Sequence, residues 1–264
     1  ATAAAANKGT SGEVQVKSKA GGTYTITQPK GTSKGCLNGN TMEPEWRKAA
    51  VKGIEDILAM RGNYLASLAW IKQEGGETLE LVATWKAKVD RGNGELDKLK
   101  CRFSADEARA KRQGSEKMRR AIEQAAKYTT PVGQLELKVL FATTGPKHTL
   151  VSGDYPNGYG IGDASGRGER YLRMPELLRD EYCDEDGQEQ CIVMPEAPTW
   201  GEGAAGNEFE IARNEDMLKA GWQESLECPA VFTSGDDVAV AIIDDILFRV
   251  EDKEVAMRTI DKLS

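Results

Sequence analysis

Thr78–Val89 reads TLELVATWKAKV, and the assignment of this stretch decides the fold. Its apolar residues Leu79, Val82, Trp85 and Val89 recur every three or four positions, the period that gathers side chains on one stripe of a helix. Similar patterns lie on both sides. Upstream, Met42 to Met60 carries Trp46, Ala50, Ile54, Ile57 and Leu58 at helical spacing, with Pro44 tolerated in the first turn. Tyr64 to Gln73 continues with Leu65, Leu68 and Ile71. Downstream, Ser104 and Glu107 fit a capping box that opens a long helix to about Tyr128, stopped by Pro131. Residues 42–130 are therefore expected to form a helical bundle that buries Trp46, Ile54, Leu58, Leu68, Val82, Trp85 and Ile122.

Beyond it, Gln134 to Ala142 alternates Leu135, Leu137, Val139 and Phe141 with Glu136 and Lys138, the pattern of a half-buried strand. Residues 152–170 read as loop, Met174 to Tyr182 as a short helix, Ile192 and Val193 as a small strand, and Pro195 to Gly206 as a connection. Glu215 to Gln223, Asp236 to Leu247 and Glu254 to Leu263 look helical, so residues 131–264 make a mixed α/β acidic region with long loops. In front of the bundle, residues 1–41 form an extended arm of Ala, Gly, Thr, Ser and Lys. Within it GEVQVKSKAGGTYTITQPKG (12–31) alternates as a hairpin, with Val14 and Val16 on one strand, Tyr24 and Ile26 on the other, and a turn at Gly21-Gly22. The expected class is α+β, mainly α.

With 264 residues, 39% hydrophobic and 29% charged, the chain is long enough to bury a core without metals or disulfides. No run approaches the roughly 18 apolar residues of a membrane span, so none is expected. Charge is unevenly divided. Residues 1–174 hold 28 basic and 19 acidic side chains, a net of +9, whereas residues 175–264 hold 7 and 23, a net of −16. Asymmetry of this size steers docking toward surfaces of opposite sign. The chain opens on Ala1 in the run ATAAAA, which fits removal of an initiator Met or of an organelle transit peptide, and hence a plastid or the cytoplasm.

The most suggestive motif is GYGIGDASGRGER, residues 158–170. Gly160, Gly162, Gly166 and Gly168 would let backbone N–H groups approach a phosphate, and Arg167 and Arg170 would neutralise it. No Lys-Ser/Thr follows as in a P-loop, and Ser165 stands where the dinucleotide fingerprint needs its third glycine. Asp180, Glu181, Asp184, Glu185, Asp186 and Glu189 crowd one turn, but an EF-hand would need an acid at Tyr182, so a solvated surface is the better reading and no metal is assigned. Lys98, Lys100, Arg102, Arg109, Lys111, Arg112, Lys117, Arg119 and Arg120 form a basic stripe. Interleaved acids and the lack of a stacking platform direct it to an acidic protein surface, this chain's own C-terminal third being one candidate, and disfavour nucleic acid.

His148 is the only histidine, so a Ser or Cys nucleophile would depend on it alone. The five cysteines form no CxxC pair; Cys183 and Cys191 are the one pair spaced for a bridge, and no cofactor is assigned. These features favour a non-catalytic linker or scaffold subunit of a large multi-protein complex over an enzyme. In that reading the arm lies across another protein subunit, with Val14, Val16, Tyr24 and Ile26 giving apolar contacts and Lys17, Lys19, Lys30 and Lys34 facing acidic groups. The alternative is an enzyme or ligand-binding protein holding an anionic or nucleotide ligand at loop 158–170.

Overall fold

In the computed structural model, which describes residues 12–125, 133–155, 158–228, 230–243 and 245–263, most of Thr78–Val89 is a strand. Leu81–Val89 (here β5) pairs antiparallel with Leu96–Ala105 (β6). Its inward residues are Leu81, Trp85 and Ala87, at even spacing, while Val82, placed in the core by the helical reading, is exposed. Asp90 turns the chain by accepting the N–H groups of Gly92 and Asn93 at 2.7 and 3.0 Å, and Gly94 takes the left-handed φ of 76° that closes the hairpin. Across the turn Cys101, Phe103 and Ala105 continue the alternation inward. The bundle and the mainly-α class are thereby corrected: 35% of the described residues are helical and 30% are strand, in four sheets.

Other assignments change for similar reasons. The Ser104 capping box is displaced, because Ser104 lies within β6 and Asp106 is the residue that caps Glu107–Gln113, accepting the Arg109 N–H at 2.9 Å. Glu116–Gln124 follows as a separate helix; the expected continuation to Tyr128 and its stop at Pro131 fall outside the described residues. Gln134–Ala142 is a helix whose one buried residue, Leu140, breaks the supposed alternation. Met174 to Tyr182 contains only the 3-10 turn Glu176–Glu181, and Asp236 to Leu247 becomes a hairpin of Asp237–Ile242 and Asp245–Val250. The β-branched run Val238, Val240, Ile242 and Ile246 favours the pleated geometry.

The chain divides into two compact units. The first comprises residues 1–119 and 170–194. Glu13–Lys17 (β1) and Thr23–Thr27 (β2) form an antiparallel hairpin in register Val14↔Ile26 and Val16↔Tyr24. Glu43–Leu58 (α1) covers one face of β6, with Trp46, Ala50, Gly53, Ile54 and Ile57 buried. Trp46 meets Trp85 edge to face at 5.7 Å, and Trp85 donates its indole N–H to the Gly31 carbonyl at 3.0 Å. A second, four-stranded sheet orders Tyr64–Ser67 (β3), Gln190–Met194 (β9), Arg170–Arg173 (β8) and Thr78–Leu79 (β4), and Ile71 clusters with Cys191 and Val193 of β9.

The second unit, residues 120–169 and 195–264, is built on a five-stranded antiparallel sheet. Gln223–Glu224, Val231–Ser234, Asp237–Ile242, Asp245–Val250 and Thr149–Asp154 (β7) lie in that order. Helices Ala205–Lys219 and Lys253–Leu263 supply the core residues Phe209, Met217, Ala256 and Leu263, which join Trp222, Phe232 and Phe248. Trp222 donates its indole N–H to the buried Thr259 hydroxyl at 3.0 Å. Among the described residues no helix is long and apolar enough to cross a membrane.

Gly53 sets how closely α1 meets β6. A Cβ there would lie 2.7 Å from the Cys101 carbonyl oxygen and 3.2 Å from the Phe103 ring. Gly→Ala inside a helix ordinarily gains up to about 1 kcal/mol. Here Gly53→Ala is expected to lower stability by about 1–3 kcal/mol, because the methyl group meets backbone rather than open space. Urea unfolding measures the sign, and a gain would mean that α1 shifts freely.

Candidate functional site

The Gly-rich loop is folded tightly in the second unit as two 3-10 turns, Gly158–Ile161 and Ser165–Arg167. Gly160 lies half-buried in the first turn. Gly162 is required by packing, since a Cβ would come 2.8 Å from the Pro198 ring and 3.0 Å from the Glu208 backbone. Gly166 faces open space, and Gly168 has a left-handed φ of 72°. Arg167 is already neutralised. Its Nε lies 2.7 Å from Glu208 Oε1, and its Nη2 donates to Glu208 Oε2 at 2.8 Å and to Glu202 Oε2 at 3.3 Å. Glu202 is 5% exposed and also accepts the Thr199 N–H at 2.8 Å. One guanidinium between two carboxylates leaves no net positive charge for an incoming anion. Arg170 falls in the first unit, where it opens β8 and its backbone pairs with Met194.

Of the arm, residues 1–11 lie outside the described residues, and the rest is built into the first unit. Val16 and Ile26 are each 1% exposed and so are unavailable to a second chain, while Val14 is half-buried and Tyr24 is exposed. The Lys17 backbone N–H donates to the Gly94 carbonyl at 2.8 Å. The Lys17, Lys19 and Lys30 side chains are exposed, and Lys34 pairs with Asp180 of its own chain.

The acidic turn is likewise engaged within its unit. Glu181 accepts from Arg47 at 2.6 Å, and Asp184 Oδ1 accepts the N–H groups of Asp186 and Gln188 at 3.1 and 2.7 Å. Glu189 takes Arg173 through two hydrogen bonds of 2.9 and 3.1 Å and lies 3.0 Å from Arg179 Nε, while Glu80 approaches Arg173 at 3.4 Å. The Arg173 hydrogen bonds hold the Glu189 carboxyl below its ordinary value. Cys183 is exposed, Cys191 is buried, and the two are not bridged; burial pushes the Cys191 thiol up to about 11. His148 accepts the Gly145 N–H at Nδ1 and so closes its own turn. No group of three metal-ligating side chains occurs among the described residues.

The unassigned feature is the outer face of the β5–β6 ribbon. Register sets Lys86 opposite Lys100, Lys88 opposite Lys98, and Thr84 opposite Arg102, so five basic groups share one face. The helical stripe expected from the sequence is thus broken: Lys98, Lys100 and Arg102 lie on a strand, and Arg109, Lys111 and Arg112 lie on the short helix after it. Lys86, Lys88, Lys98 and Lys100 make no ion pair among the described residues. Burial, followed by the charges of Arg102, Lys88 and Lys98, lowers the Lys100 pKa. The signal was present in KAK (86–88) and KLKCR (98–102) on either side of DRGNG (90–94).

Beside the ladder, a groove of about 540 Å³ runs between α1 and β6. Met42, Ala49, Leu96, Leu99 and Cys101 give it apolar surface, while Lys48, Lys52, Lys98 and Lys100 line it together with Glu45 and Asp56. Lys52 pairs with Asp56 at 2.8 Å. Lys98 and Lys100 belong both to the ladder and to the groove.

A scan against protein-family models matches none, and a search of curated proteins finds no match.

The Glu189 network yields a pH prediction. A carboxyl whose folded pKa lies below its unfolded value, near 4.5, contributes stability that is fully present above that value and is lost as pH falls through the folded pKa. Wild-type protein should therefore lose stability more steeply than Glu189→Gln as pH falls below about 4.5, while being the more stable of the two at pH 7. Chemical unfolding of both proteins across that range checks it; parallel curves would show that the ion pairs contribute nothing.

Proposed function

We propose that this chain is a non-catalytic assembly subunit that holds an acidic protein partner on the basic face of its β5–β6 ribbon. The observation that carries the reading is the set of like charges facing each other across the ladder. Directly opposed side chains in an antiparallel pair are about 5 Å apart, and alternate residues along a strand about 7 Å. Like charges at such distances repel by about 0.6–0.8 kcal/mol per pair in water, only partly screened at physiological salt. Each term is small. The four facing lysines on one face nonetheless produce a field that an acidic counter-surface relieves.

The alternative reading, a ligand at loop 158–170, is weakened because Arg167 is already held by Glu202 and Glu208. The arm contributes less to the assembly reading than its composition suggested, since Val16 and Ile26 are buried within their own unit. The ribbon takes its place.

A Lys88→Glu, Lys98→Glu double variant should keep the wild-type circular dichroism but enter the native assembly at least tenfold less efficiently. Wild type should detach as salt rises from 50 to 500 mM. Native mass measurement of material recovered from the source reads both effects. A chain that is monomeric at low salt, or a double variant that assembles as wild type does, would overturn the reading.

A further inference from the structure

We propose that the groove between α1 and β6 receives an acidic amphipathic helix from the partner. This inference rests on the assembly reading and assigns the element that docks. Three observations carry it. The α1 wall consists of Met42, Glu45, Lys48, Ala49, Lys52 and Asp56, a stripe that recurs every three or four residues along nearly the whole helix. At 1.5 Å per residue it runs about 21 Å, the length of a helix of about 14 residues. The facing wall, Leu96 to Cys101, extends about 17 Å along β6, so both walls match an elongated occupant. A ridge of this period is what a second helix packs against.

The chemistry of the lining selects the occupant. Met42, Leu96 and Leu99 are only half-buried, so the groove keeps apolar surface accessible to solvent. Lysines outnumber carboxylates four to two along the walls, and Lys48, Lys98 and Lys100 have no ion-pair partner among the described residues. Apolar surface alone would suit any greasy segment. Lysines on both walls favour one whose flanks carry glutamate or aspartate, laid with its apolar stripe inward. The groove is continuous with the basic ladder through Lys98 and Lys100, so the remainder of an acidic partner would extend over the ribbon.

The test uses the full chain and a fluorescent 14-residue peptide, with leucines at helical spacing and glutamates elsewhere. Its controls are a scrambled peptide of the same composition, polyglutamate and a single-stranded DNA oligomer. Anisotropy should show micromolar binding of the amphipathic peptide, at least tenfold weaker for the scrambled one. Ala49→Trp, which fills the groove from a half-exposed helix position, should weaken binding tenfold or more, as should the surface variant Lys98→Glu, Lys100→Glu. Lys262→Glu, an exposed position on helix Lys253–Leu263 of the second unit and outside both ribbon and groove, should change it less than threefold. Equal binding of polyglutamate and the amphipathic peptide would overturn the groove while leaving the ribbon reading standing. Tighter binding of DNA would overturn both. Absence of peptide binding by a chain that still assembles in the native mass experiment would overturn the groove alone.

Discussion

A two-stranded ribbon buries too little to persist in water, and β5–β6 depends on what covers it. That cover is α1, brought down at Gly53 until a Cβ would lie 2.7 Å from the Cys101 carbonyl oxygen. The close approach lets Trp46 reach Trp85 edge to face and seals Ile54 and Ile57 from solvent. Once one face is sealed, pleating leaves the other to the alternate residues, which are Lys86, Lys88, Lys98, Lys100 and Arg102. The charged surface is therefore a geometric consequence of the buried one. The groove lies beside the same contact, with Ala49 of α1 and Leu96 and Leu99 of β6 in its lining.

The second unit solves the covering problem by another route. Its five antiparallel strands carry Phe232, Phe248 and Val250 into a core that two helices complete. Two polar groups of this interior are paired: Trp222 with Thr259, and Tyr155 with Asp216 at 2.7 Å. Burial and that carboxylate raise the Tyr155 hydroxyl well above its ordinary range, which keeps it a neutral donor. Arg167 belongs to the same economy of charge, with its two carboxylates fixing the loop against helix Ala205–Lys219.

Thr78–Val89 shows why the sequence misled. Trp85 satisfies both periods, standing with Leu79, Val82 and Val89 at helical spacing and with Leu81 and Ala87 at strand spacing. Only the Asp90–Gly94 turn and the second alternation, Cys101, Phe103 and Ala105, separate the two readings, and both lie outside the stretch itself. Gln134–Ala142 failed in the opposite direction, since Leu140 is the residue that a strand would have turned outward. The charges of the candidate surface were legible as composition, not as a face, because facing requires the register. The partners of Arg167 stand 35 and 41 residues away, beyond any local pattern.

The sheet of the first unit has a consequence for synthesis. Its strand Tyr64–Ser67 pairs with Gln190–Met194, and Thr78–Leu79 with Arg170–Arg173, so the early strands wait for chain made much later. At translation rates of about 5–20 residues per second, the delay between residues 64 and 193 is roughly 6–26 s. Contacts of such separation also form slowly once the chain is free. The hairpin at residues 81–105 and its helical cover meet no such delay, so they can order while the first edge is still unpaired. An unpaired edge invites pairing with another nascent chain, and the brevity of these strands, four and two residues, keeps that template small until its own partner arrives.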